Sequence, residues 1–316
     1  MPETSQLNYR SLSHSQVILH PNPKGIIQFI GGFVFGSFPV PAYRYLHQFL
    51  FDQGYSLILY RFPLNPFQLN HWQVALDLLK EQYVLKVEIV KLLKQAKQPS
   101  EILNVYANPA NYRWLGHSLG SKYVILLEIL SHKPERRIQV LQDALRQEDV
   151  NSLVQSINVA EAKKREAEAS LRQLLPDALS ISQFFIRDQP AVLIAPEVSN
   201  TVRFLRSGWR ISSSGTKPNQ QQTENLIRDS KELFNLTGII SFNLDAIAED
   251  DVAFLVEEIK HRAFQPPLSK ELYGYHLQPL GIHIEDLGRD IVNFYEELEQ
   301  RKAKSKPSLT SELIAV

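Results

Sequence analysis

The chain has 316 residues, and thirty-four Lys and Arg balance thirty-four Asp and Glu, so its formal charge is zero with His neutral. That balance speaks against a nucleic-acid surface as the main function, because holding phosphates calls for net positive charge. With no cysteine, there is no disulfide, no thiolate nucleophile and no Cys-ligated metal. The polar start MPETSQLNYR lacks an export core and no run of about 18 apolar residues occurs, so the expectation is a cytoplasmic chain without a transmembrane segment.

Apolar β-rich runs alternate with segments of helical period, the pattern of a mostly parallel sheet flanked by helices, which makes the expected fold class α/β. Gly25–Ile30 reads as a buried strand ending in Gly31 and Gly32, and Ser56–Tyr60 as a second. Between them Tyr43, Leu46, Phe49 and Leu50 recur at helical spacing. A long helix follows from about Trp72 to Gln95, its apolar positions stepping by three or four. Tyr112–Leu115 is a short strand that leads into Gly116–Gly120 and then an apolar helix from Lys122 to Leu130. Ala191–Ala195, Gly238–Phe242 and Glu271–Tyr275 read as further strands, and Glu285–Gln300 as the closing helix.

One stretch breaks the alternation. Residues 134–182 hold the mixed-charge run EAKKREAEA of strong helix formers and no strand, too long for a connection, so they read as a helical insertion, a cap over one edge of the sheet. The α/β core is then residues 1–133 and 183–300. Ser212–Thr223 reads as a mobile loop and 301–316 as a flexible tail.

Gly116-His117-Ser118-Leu119-Gly120 matches G-x-S-x-G between a strand and a helix, the setting of a nucleophile elbow. The requirement is steric: a sharp turn lifts the serine Oγ above the sheet and needs small flanking residues to close. The helix N-terminus then offers N–H groups to a developing oxyanion, and Leu119, next after the serine, supplies one of them.

This string, with the Gly-Gly turn far upstream, resembles the α/β-hydrolase superfamily, whose triad runs Ser, then Asp or Glu, then His along the chain. In that order Ser118 is the nucleophile. Asp245, just past the strand Gly238–Phe242, is the preferred acid, with Asp250, Asp251 and Glu197 as rivals. His276, in LYGYHL after the last strand, is the preferred base, with His283 as rival. The resemblance also makes the Phe33 N–H the second oxyanion donor, although Gly31 stands where the superfamily often carries His. Gly32, Phe35, Phe38 and His117 complete the expected substrate surroundings, with packing into the protein the other reading of His117.

An aromatic-walled cleft under a helical cap favours an apolar, lipid-like ester or thioester. The strings GHSLGSKY, LIAPEVSNT and LYGYHL resemble an uncharacterised hydrolase-like family of cyanobacteria and plastids. That resemblance implies a soluble protein near thylakoid lipids and leaves room for peripheral membrane contact. No cofactor or metal is expected, as neither H-E-x-x-H nor a P-loop string occurs. Two other readings stand beside the hydrolase: an acyltransferase with the same triad, and a non-catalytic binding protein that meets a partner through the insertion.

Overall fold

The computed structural model describes residues 7–62, 70–178, 180–181, 185–199, 201–204, 209–212, 215–230, 232–260 and 267–312, with backbone alone at 201–204, 209–212 and 305–312. Its strands are β1 (Arg10–Leu12), β2 (Ser15–Ile18), β3 (Gly25–Ile30), β4 (Tyr55–Leu59), β5 (Tyr112–His117), β6 (Ala191–Ile194), β7 (Thr201–Phe204), β8 (Trp209–Ser212), β9 (Thr237–Phe242) and β10 (Leu268–Leu272). The helices are α1 (Pro39–Ala42), α2 (Arg44–Asp52), α3 (His71–Gln95), α4 (Ser100–Ala107), α5 (Leu119–Leu130), α6 (Pro134–Ala144), α7 (Gln147–Leu174), α8 (Gln220–Asp229), α9 (Glu249–Lys260) and α10 (Glu285–Glu312).

Eight strands form one sheet in the order β1-β2-β4-β3-β5-β6-β9-β10. From β4 to β10 every pairing is parallel, while β2 runs antiparallel to β4 and β1 antiparallel to β2. Strands covered by helices on both faces lose the polar alternation of half-exposed ones, and β3, β4 and β5 are buried at every position. Gln28 is the polar exception in β3. It is satisfied by Tyr60 Oη at 2.9 Å and Gln82 Nε2 at 2.7 Å, and donates to Gln189 Oε1 at 3.2 Å. Helices α3, α5 and α7 cover one face through Leu79, Tyr83, Leu126 and Leu153, and α2 with α10 cover the other through Leu46, Leu50, Leu287 and Ile291. Each such buried side chain contributes about 1.5–3 kcal/mol.

Several elements depart from the sequence expectation. The last strand begins at Leu268 and leaves the sheet after Leu272, so the aromatic run Tyr273–Tyr275 is an exposed loop and not strand. Residues 220–223, read as loop, open α8, where Asn219 and Gln222 close a reciprocal capping box; residues 213–214 of that stretch lie outside the described ones. The final helix runs to Glu312, well past Gln300, and residues 313–316 of the expected tail are not described. Helix formers such as Lys302, Ala303 and Lys304 extend it. The segment 134–182 does form helices, α6 and α7, while residues 179 and 182 lie outside the described ones. Helix α7 packs along α3. Together with Lys217 and Gln222 the two helices border a cavity of about 300 Å³ lined in part by Trp72, Leu76, Leu145 and Leu153. None of its lining residues comes from the loops that carry Ser118, Asp245 or His276.

Candidate active site

The site is built at the carboxyl ends of the parallel strands, where β5 turns sharply into α5. Ser118 adopts φ 55° and ψ −124°, a region that L residues rarely occupy. The two glycines of the motif make that turn feasible. A Cβ on Gly116 would come within 2.7 Å of the Ser121 Cα, and one on Gly120 within 2.2 Å of the Ile30 carbonyl oxygen. Ser118 N–H donates to the Ile194 carbonyl at 2.9 Å, which ties the elbow to β6.

Asp245 and His276 approach from the loops after β9 and β10, beyond β6 in the sheet order. Parallel pairing between β9 and β10 continues beyond the strands: Asn243 N–H donates to Leu272 O and Leu244 N–H to Gly274 O, both at 3.0 Å. Gly274 N–H answers with a bond to Asn243 Oδ1 at 3.2 Å. The two loops are thus held together before any side chain is considered. His276 Nε2 lies 2.8 Å from Ser118 Oγ, and its Nδ1 lies 2.8 Å from Asp245 Oδ2. The other carboxylate oxygen, Oδ1, accepts from Ile247 N–H at 2.9 Å and Ala248 N–H at 3.1 Å. Burial pushes the Asp245 carboxyl up, but the hydrogen bond and charge of His276 and the two backbone donors bring it below its ordinary value. An anionic acid that fixes the imidazole is what a triad needs.

The Gly31-Gly32 turn packs directly on Ser118, since a Cβ on Gly32 would lie 3.1 Å from Ser118 Cβ and 3.5 Å from its Oγ. Gly32 N–H is engaged by Tyr43 Oη at 2.8 Å. Neither the Phe33 nor the Leu119 N–H has an acceptor among the described residues. Phe35 is half-buried against the α2 side of the core, and Phe38 is 53% exposed.

His117, expected among the substrate contacts, is turned into the protein. Its Nδ1 accepts from Tyr43 Oη at 2.8 Å, and its Nε2–H donates to the His276 carbonyl at 2.9 Å. Burial foremost, then the neighbouring His276, lowers it to about 3, so the ring stays neutral. The directions follow because the His276 carbonyl can only accept, so the neutral ring carries its proton on Nε2 and Nδ1 accepts from Tyr43 Oη. A single relay therefore runs from the Gly32 turn through Tyr43 and His117 to the backbone of the base. Helical spacing marked Tyr43 only as core, and nothing in the sequence distinguished its hydroxyl.

The rivals occupy other positions. Asp251 Oδ2 accepts from Val198 N–H at 2.7 Å and Ser199 N–H at 2.9 Å, which anchors the loop after β6. Asp250 is in the exposed first turn of α9, and His283 is exposed. Glu197 is buried, and its Oε2 lies 3.4 Å from Ser118 Oγ. Among the described residues no group of three or more His, Asp or Glu could hold a metal ion, and no helix is long and apolar enough to cross a membrane.

Comparison with known proteins agrees with this architecture. A family described as a protein of unknown function (DUF1350) matches residues 8–161, the part that carries the elbow but neither Asp245 nor His276. The structure is similar to that of a sugar hydrolase (YeeB) from Lactococcus lactis at 11% identity, covering 95% of this chain and 99% of that one with a TM-score of 0.50. It is likewise similar to a candidate carboxylesterase from Lactobacillus plantarum WCFS1 at 10% identity, covering 93% and 98% with a TM-score of 0.50. No curated protein matches the sequence. The chain has the α/β-hydrolase fold.

Proposed function

We propose that this α/β-hydrolase-fold protein is a serine hydrolase acting on an ester or thioester through an acyl-enzyme. The reading rests on one observation, the unbroken line Ser118 Oγ–His276 Nε2 at 2.8 Å and His276 Nδ1–Asp245 Oδ2 at 2.8 Å. Ser118 Oγ bonds to the carbonyl carbon while its proton passes to His276 Nε2, and Asp245 stabilises the imidazolium. The Leu119 and Phe33 N–H groups receive the oxyanion. As the tetrahedral intermediate collapses, His276 returns the proton to the leaving oxygen or sulfur. Water then repeats the sequence on the acyl-enzyme and frees the acid.

An apolar substrate follows from the rim. Phe38, Leu244, Tyr273, Tyr275, Leu277 and Ile282 are all exposed, and all belong to the turn, acid and base loops. Large apolar groups gathered at one edge mark a surface that takes an apolar molecule or touches lipid.

A fluorophosphonate probe tests the reaction class, because it captures only an activated serine. The wild-type protein is expected to gain one covalent adduct by intact mass, and Ser118→Ala to gain none. A wild-type spectrum free of adduct overturns the reading.

A further inference from the structure

A second carboxyl touches the nucleophile, and the triad makes no use of it. Glu197 follows β6, where Ala195 at φ 43° turns the chain back toward the elbow. Its backbone is clamped: Glu197 N–H donates to Ser118 O at 3.3 Å, Asp251 holds the next two N–H groups, and Lys122 Nζ donates to Val198 O at 3.0 Å. The side chain is 4% exposed, so the carboxyl neither swings away nor meets bulk water.

Ser118 Oγ thus stands between two groups at unequal distances, 2.8 Å from His276 Nε2 and 3.4 Å from Glu197 Oε2. A hydroxyl has one proton to give. A carboxylate would draw that proton at the 2.5–2.7 Å typical of charge-assisted O–H···O bonds, and would set a negative charge beside Ser118 Oγ. A carboxylic acid does the reverse. It donates to Oγ and leaves the serine proton aimed at His276, and such catalytic contacts are often long before substrate binds.

On the hydrolase reading above, we propose that Glu197 is a further catalytic residue, an uncharged acid that donates its O–H to Ser118 Oγ, so that the reaction stops when this carboxyl ionises. The charged and titratable neighbours agree. Asp251 faces it from α9, Lys122 and Tyr123 from α5, and His276, backed by Asp245, from the loop after β10. Burial first, then Asp251, raises Glu197 to about 7 against the opposing pull of His276 and Lys122. Burial also lowers Lys122 to about 7, which weakens the cation that would otherwise hold a carboxylate.

The test is the rate of fluorophosphonate labelling of Ser118 against pH, for the wild type and for Glu197→Gln and Glu197→Ala, each checked for folding by circular dichroism. The wild-type rate should fall about tenfold per pH unit once Glu197 loses its proton. In Glu197→Gln, whose amide always donates, the falling limb should disappear and the rate change less than about threefold between about pH 7 and pH 9. Glu197→Ala should also lack the limb but react more slowly throughout.

A wild type that labels without an alkaline limb overturns the proposal with no variant needed. So does a folded Glu197→Gln that keeps the wild-type limb, or one that fails to label at any pH because it needs the carboxylate. A wild type that never labels overturns the hydrolase reading itself, and the role of Glu197 with it.

Discussion

At the carboxyl edge of the sheet Ser118, His117, Glu197, Asp245 and His276 are all buried, whereas in α6 and α7 the ion pairs Arg146–Glu148 and Lys163–Glu166 lie on the surface. The edge also holds Ser118 and Ala195 at positive φ, while the helical pair has regular backbone and a plain apolar stripe of Val150, Leu153, Ile157, Ala160, Ala167 and Leu171. Buried charge and strained backbone each lower stability and persist where function requires them. The helical pair has no such strain, and the one buried charge in its two helices, Arg137, is paired with Glu161 at 3.3 Å. On the hydrolase reading, activity resides in the edge.

Substitutions can break this contrast, beginning with the largest effect. Asp245→Asn should lower kcat on a model ester by about 10⁴, since an amide holds the wrong tautomer of His276. Its circular dichroism should remain that of the wild type. Next comes Tyr43→Phe, which leaves Gly32 N–H and His117 Nδ1 unpaired in the interior and should cost about 1–3 kcal/mol by urea denaturation. Because the relay joins the oxyanion turn to the base loop, kcat should fall as well, by roughly tenfold at a cost of about 1.4 kcal/mol. If kcat stays unchanged while stability drops, the relay is scaffolding alone. Smallest is Lys163→Ala, which removes an exposed pair and should change stability by less than about 0.5 kcal/mol, with no change in kcat. A large effect there would erase the contrast between the two regions.

How much of this was legible depended on whether a signal was local. The elbow was legible because Gly116, Ser118 and Gly120 are bound by sterics within a few residues, and strand ends then led to Asp245 and His276. The core strands announced themselves through unbroken apolar runs such as Gly25–Ile30. By contrast, β1 is short and exposed and pairs only with β2, and the four-residue β2 is placed by its pairing with β4. In the run LYGY, β propensity pointed to a strand, yet the sheet contacts go to Leu268–Leu272 and the aromatics face outward. Glu197 next to Pro196 had the look of a solvated loop carboxylate. Its burial comes from Asp251 and Lys122, distant in sequence, closing over the loop. The role of His117 likewise depends on the hydroxyl of Tyr43, a residue between α1 and α2 that is distant in sequence.

Strand β10 stands at the end of the sheet order, with Ser269, Lys270 and Glu271 exposed and an ion pair from Lys270 Nζ to Asp290 Oδ1 at 2.6 Å fastening it to α10. The imidazole hangs from this outermost ribbon, while the hydroxyl it serves is anchored in the middle of the molecule. Fraying at that border would mute the serine and leave the interior whole. On the hydrolase reading, opening this single ladder would part His276 from Ser118 without melting the rest of the sheet.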